Sequence, residues 1–142
     1  MTIGPEPIEA GHATRMPTPM ARSGNVDAQP NRSAQAAPFI EEAQETVDLQ
    51  GVQLFMHVFG ARMQDAPLRS SRFTIEPGCG TQEDRHAVHE IWFVSAGCLD
   101  VCYDGAWHRV AAGQAVFFEP WRPHFTRNVG AETAQIFSVW WA

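Results

Sequence analysis

Hydrophobic positions are unevenly spread along the chain, and most of them lie after Pro38. From Thr46 onward, short apolar segments are separated by Gly, Pro and Asp-Gly signals, the pattern of an all-β sandwich or barrel. Val52 to Phe59 reads as the first strand, and Leu68 to Glu76 as the second, stopped by Pro77-Gly78. A polar loop runs to Arg85. Ile91 to Val94, Leu99 to Tyr103, Trp107 to Val110, Ala115 to Phe118 and Ile136 to Trp141 complete the predicted strands. Asp104-Gly105 is a hairpin signal, and Ala96-Gly97 and Ala112-Gly113 mark further turns. Leu99, Val101 and Tyr103 alternate with Cys98, Asp100 and Cys102, so one face of that strand should be buried. No amphipathic helix of three turns or more is visible after residue 50, which removes α/β folds.

The first 38 residues are rich in Pro, Ala, Ser, Gln, Asn and Thr and hold only scattered hydrophobes. Such a stretch cannot bury enough surface to offset its ordering entropy. Residues 1–45 are therefore expected to form a flexible or partly ordered arm, with a short helical turn over Pro38 to Glu45, and residues 46–142 a single barrel. The alternative for the arm is a segment that crosses onto a partner subunit or lids the site.

Composition removes several function classes. The net charge is −6, and all ten positive residues are arginines. Nothing resembles the basic stripe that a nucleic acid requires, and an anionic membrane surface is an equally poor partner. The apolar runs are far shorter than the ~20 residues of a membrane span. With no basic start followed by an apolar block, the expected compartment is the cytoplasm. Cys79, Cys98 and Cys102 follow no metal-binding spacing. On one strand Cys98 and Cys102 would start about 13 Å apart, too far to bridge, so three ordinary thiols are expected.

Histidines and carboxylates concentrate in two segments, GCGTQEDRHAVHEIWFVSAG from Gly78 to Gly97 and GQAVFFEPWRPHFTRN from Gly113 to Asn128. Imidazole nitrogen and carboxylate oxygen suit iron, manganese, nickel and zinc. His86 and Glu90 would lie about 13 Å apart on a straight strand. Ligands of one metal lie within about 3 to 4 Å of each other, so the chain must turn at Ala87-Val88-His89. His124 follows the stiff corner Pro120-Trp121-Arg122-Pro123. Two imidazoles and one carboxylate on three separate strands would make a facial triad with open positions.

Both segments resemble the signature motifs of the cupin superfamily. The first motif runs G, five residues, H-x-H, three or four residues, E, six residues, G. Gly78, Asp84-Arg85-His86, Glu90 and Gly97 reproduce its spacing. His124 and Asn128 match the end of the second motif, with Gly113 at the preceding turn. The chain departs from the family at three places, where Asp84 replaces the first histidine and Glu119 and Trp121 replace the usual Pro and Gly.

The resemblance covers about the last 95 residues and implies a cupin-type, jelly-roll β-barrel. It implies one divalent metal, Fe(II) first, with Mn, Ni or Zn as alternatives. A related iron-dependent subset uses His, three residues, Glu and a later His, which His86, Glu90 and His124 match. Asp84 is a possible fourth ligand, a neighbour of the ligands, or a solvated carboxylate.

The function expected first is a non-haem iron oxygenase or dioxygenase acting on a small organic molecule. A metal-dependent isomerase, lyase or cyclase is the alternative, and a non-catalytic small-molecule-binding cupin the third. Trp92 and Trp121 are candidate substrate-binding residues, because aromatics on the metal's side would line an apolar pocket. Arg72 could hold a substrate carboxylate or phosphate if it points into the barrel, although an exposed strand arginine is commoner. His89 adjoins Glu90, but strand neighbours face opposite ways, so a non-ligand role is expected; His57 and His108 have no metal-ligand spacing to anything, and Asn128 suits strand or turn hydrogen bonding. A homodimer through edge strands is expected, with Val139-Trp140-Trp141 as a candidate contact.

Overall fold

The computed structural model describes residues 39–142. Among them are nine strands: β1 (Glu41–Glu45), β2 (Val52–Val58), β3 (Leu68–Ile75), β4 (His89–Ala96), β5 (Cys98–Tyr103), β6 (Ala106–Ala111), β7 (Ala115–Phe118), β8 (His124–Asn128) and β9 (Ala134–Trp141). One 3-10 turn, Ala61–Met63, is the only helical element among the described residues. No helix there is long and apolar enough to cross a membrane. The expected arm lies outside the described residues up to residue 38.

The strands form a six-stranded sheet in the order β1-β2-β3-β9-β4-β7 and a three-stranded sheet in the order β6-β5-β8, with every pairing antiparallel. The all-β expectation holds. The predicted strands are observed with edges shifted by a residue or two. Two elements go beyond the alternation pattern. Glu41–Glu45, expected as a helical turn, is an edge strand in register with β2 from Glu41 opposite Val58 to Glu45 opposite Leu54. All five of its residues are exposed, so no apolar face announces it. β8 follows the Pro corner and pairs with β5, from Tyr103 opposite His124 to Leu99 opposite Asn128.

The inward residues of the two sheets form the core, in which Ile75, Leu99, Phe118, Ala134 and Ile136 are fully buried and Phe73, Trp92, Val94, Val101 and Val110 nearly so. On β3, Ser71, Phe73 and Ile75 turn inward while Arg72 and Thr74 turn out. Leu99 and Val101 are buried as the alternation of β5 requires, and Cys102 on the other parity is buried as well. The three cysteines are unpaired.

Turns between the strands are tight. Gly97, between β4 and β5, has φ +81°, and a Cβ there would sit 2.8 Å from the Ala134 Cα, so only glycine fits without moving β9. Asn128 closes the far end of β8. Its side-chain amide donates to the Ile75 and Glu132 carbonyls at 2.8 and 2.7 Å, and its Oδ1 accepts from the Gly130 amide at 2.9 Å. Asn128 is thus the hydrogen-bonding residue that its place in the sequence suggests. Asn128→Ala is expected to lower unfolding free energy by about 2 to 4 kcal/mol, since each stranded buried partner costs about 1 to 3 kcal/mol. The denaturant midpoint would report it.

Candidate metal centre

Three side chains converge between the two sheets. Glu90 stands on the inward face of β4, His124 opens β8, and His86 lies on the irregular segment between the Asp84 bridge and β4. The chain bends at Ala87-Val88, as the spacing requires, and brings His86 back over Glu90. His86 is therefore not on a strand, contrary to the expected three-strand triad. Its segment is fixed instead by backbone bonds on both sides. Asp84 and His124 exchange amide-carbonyl bonds of 2.9 and 3.0 Å, and the Trp121 amide donates to the His86 carbonyl at 2.7 Å.

Glu90 Oε2 lies 2.9 Å from His86 Nε2 and 3.3 Å from His124 Nε2. The other oxygen, Oε1, accepts from the Trp92 indole N–H at 2.8 Å and from the Ser138 hydroxyl. His124 is 1% exposed and stacks on Phe118 at 4.1 Å between ring centroids, with Trp92 edge-on at 5.6 Å. The imidazoles are thus held in place from behind, by packing at His124 and by hydrogen bonds at both rings.

Those hydrogen bonds decide what fits between them. His86 Nδ1 faces the Val88 carbonyl and His124 Nδ1 the Arg122 carbonyl, each at 3.0 Å. A carbonyl only accepts, so each Nδ1 carries the proton, and in a neutral ring each Nε2 then presents a lone pair. Both lone pairs point at a carboxylate oxygen that is also an acceptor. Three acceptors converging on one point need a positive charge there, either a second proton on the rings or a metal ion. Nδ1–H bonded to a carbonyl with Nε2 turned to the site is the arrangement of metal-ligating histidines. The donor set therefore fits a divalent metal.

Asp84 joins the cluster from its exposed side. One ligand atom from each of Asp84, His86 and His124 lies within 4.8 Å of the others. Its Oδ1 also accepts from the Arg85 amide at 2.7 Å. The residue standing where the family has its first histidine is thus beside the two imidazoles.

A cavity of about 610 Å³ opens from the cluster. Trp92 lines it, and its indole N–H holds Glu90. Two other candidates are corrected. Arg72 faces away from the cavity, where its guanidinium forks onto the Glu42 carboxylate at 2.8 and 2.6 Å and lies over the Phe55 ring. The signal was present in the sequence, since Phe73 and Ile75 alternate with Arg72 and cannot share its face. Trp121 is 63% exposed at a left-handed turn with φ +64°, does not line the cavity, and contributes its backbone amide rather than its ring.

Several lining residues escaped the sequence reading. Val47 and Leu49 come from the connection before β2, and Ser138 and Trp140 from β9. For β9 the signal was the alternation Ile136, Ser138, Trp140, which also splits Trp140 from its neighbours Val139 and Trp141. His89 faces the other side of β4, grouped with the near-parallel rings of Phe117 and Trp141. His57 bonds Ser70 on the outer face. Neither belongs to the cluster.

The profile of the cupin domain family matches residues 71–140, a span holding Asp84, His86, Glu90 and His124. The chain belongs to the cupin superfamily. Similar solved structures include a predicted oxalate decarboxylase from Thermotoga maritima, 18% identical over 72% of this chain and 92% of that one, with TM-score 0.61. KdgF from Halomonas sp. is 16% identical over 70% of this chain and 86% of its own, with TM-score 0.59. A cupin 2 conserved barrel domain protein from Salinispora arenicola is 26% identical over 69% and 87%, with TM-score 0.58.

Charge at the cluster sets a pH window for the metal-free protein. Burial pushes the Glu90 carboxyl up, but hydrogen bonds from His124, Ser138, Trp92 and His86 outweigh it and hold the group at about 2. Burial pushes His124 down, but Glu90, the Arg122 carbonyl and the charge of Asp84 together raise it above its ordinary 6.5. A lowered acid stabilises the fold above its unfolded value of 4.5 and loses that contribution as pH falls towards 2. A raised base stabilises it below 6.5 and loses that contribution as pH rises through the folded value. Chelator-treated protein should therefore melt highest between those limits, and Glu90→Gln should flatten the acid side. Melting curves from about pH 3 to about pH 9 check both limbs.

Proposed function

We propose that this cupin is a metal-dependent enzyme acting on a small organic molecule, with oxygenation on Fe(II) as its chemistry. The observation that carries the reading is the pair of Nδ1-anchored imidazoles aimed, with Glu90, at one point on the wall of a cavity. Two imidazoles and one carboxylate are the donor set of non-haem iron oxygenases, and iron held there would supply oxygen activation. The chain's own residues do the rest. Trp92 and Ser138 hold Glu90 Oε1, so that Oε2 is the oxygen offered to the site. The Val88 and Arg122 carbonyls keep both rings in the tautomer that ligates. Leu54, Phe73 and Trp140 give the substrate an apolar wall and exclude water from it.

Asp84 favours a second reading. As a fourth ligand it would leave fewer open positions and suit a Lewis-acid isomerase, lyase or cyclase using zinc, nickel or manganese.

Elemental analysis of protein purified without chelator or added metal separates these. About one equivalent of iron in the wild type, lost in His86→Ala and kept in Asp84→Asn, supports the oxygenase. Zinc or nickel lost in Asp84→Asn supports the second reading. No metal and no uptake of any offered ion leaves a non-catalytic binding cupin. Ser138→Ala is expected to weaken metal binding about 10- to 100-fold, as loss of a partner behind a ligand does.

The homodimer belongs to the same proposal, though not through Val139-Trp140-Trp141, which lie on the central strand β9 with Trp140 lining the cavity. The outward face of β4 and β7 leaves Phe93 and Phe117 about half exposed, a surface suited to a second copy. A monomer in sedimentation at micromolar concentration would end that part.

A further inference from the structure

Six polar side chains are buried among the described residues: Ser70, Ser71, His124, Thr126, Asn128 and Ser138. Five of them have partners. Ser70 bonds His57 Nδ1 at 2.7 Å, and Thr126 donates to the Asp100 carbonyl at 2.9 Å. Asn128 and His124 are bonded to backbone carbonyls, and Ser138 to Glu90. Ser71 is the exception. It is only 4% exposed, and its hydroxyl bonds no other group among the described residues. It stands on the inward face of β3 and lines the cavity, whereas its neighbour Ser70 faces out.

A buried hydroxyl without a protein partner destabilises a fold relative to alanine, because it gives up water and gains nothing in exchange. Packing alone would be served as well by the smaller side chain. The hydroxyl of Ser71 is therefore directed at what occupies the cavity, water when the site is free and a ligand when it is filled.

Its place defines what it can meet. Ser71 is the register partner of Met56 on β2 and of Ser138 on β9. Side chains so opposed have Cβ atoms about 5 Å apart. Ser138 bonds Glu90, so the Ser71 hydroxyl is one side chain removed from the metal centre. Leu54, Met56, Phe73 and Trp140 make the wall on that side apolar. A molecule lying from the metal centre along this wall reaches a hydrogen-bonding group that carries no charge. Serine donates to a carbonyl or ether oxygen and accepts from a hydroxyl.

We infer that Ser71 is a ligand-binding residue of the cavity, and that its hydroxyl receives an uncharged oxygen substituent on an otherwise apolar, ring-sized body. The inference rests on the cavity being the small-molecule site of the proposed enzyme. It adds a second polar point to the substrate, apart from whatever group meets the metal. Selection comes from the analogue that lacks the oxygen, which displaces water from Ser71 and leaves the hydroxyl unpaired.

The test uses phenol and toluene, which differ by a hydroxyl in place of a methyl, titrated by NMR into the full chain as wild type, Ser71→Ala and Ser71→Thr. Ser71→Ala is expected to weaken phenol about ten-fold and to leave toluene unchanged or tighter, and Ser71→Thr to restore the wild-type ratio. The melting temperature of Ser71→Ala is expected to equal or exceed that of the wild type. Phenol binding that is unchanged in Ser71→Ala would overturn the inference, as would equal weakening of both probes or failure of phenol to bind at millimolar concentration. A melting temperature several degrees lower would also overturn it, by making the hydroxyl structural. Metal content of the same samples distinguishes the two proposals. A chain that takes up no metal yet loses its phenol affinity in Ser71→Ala sinks the proposed enzyme and leaves Ser71 as a ligand contact, whereas a metal-loaded chain indifferent to Ser71→Ala does the reverse.

Discussion

The interior of this barrel holds one carboxylate whose charge the surroundings must answer. Glu90 sits between two sheets, gripped on Oε1 by Trp92 and Ser138 and faced on Oε2 by two imidazoles. An unanswered charge at that depth would cost more than any single strand pairing contributes. The answer comes from both sheets at once, because Glu90 belongs to β4 of the larger and His124 to β8 of the smaller. Phe118 and Trp92 then pack around His124, so the aromatic core is arranged about the polar cluster rather than beside it. The cavity is the space left where that core stops.

Much of this was readable from residues alone. Strands broken by Asp-Gly and Ala-Gly pairs gave the class of fold, because period-two alternation survives wherever one face is buried. The Glu90 and His86 spacing demanded a bend, and the bend is there. Asp84, left open between ligand and bystander, falls within reach of both imidazoles. What escaped has physical reasons. Glu41–Glu45 carries no buried face, so backbone pairing alone makes it a strand. Val47 and Leu49 reach the cavity from a connection, whose path no periodicity encodes.

Trp121 shows how a departure from the family motif is absorbed. The position keeps φ +64°, the conformation that the usual glycine adopts freely and that costs other residues about 1 kcal/mol or more. The turn persists because its amide is needed at the His86 carbonyl and Pro120 and Pro123 stiffen either side. The ring has no place in the barrel and is turned to solvent.

The order of strands carries a further consequence, for assembly. β9 is the ninth of the described strands, yet it lies in the middle of the large sheet, paired with β3 on one side and β4 on the other. β1-β2-β3 and β4-β7 are thus two separate ribbons until residues 134–141 arrive between them. Pairing at such sequence distance is slow, since loop closure precedes any reward in contacts. A nascent chain that stops short of Ala134 leaves the β3 and β4 edges open, each a template for the wrong partner, and β9 closes both.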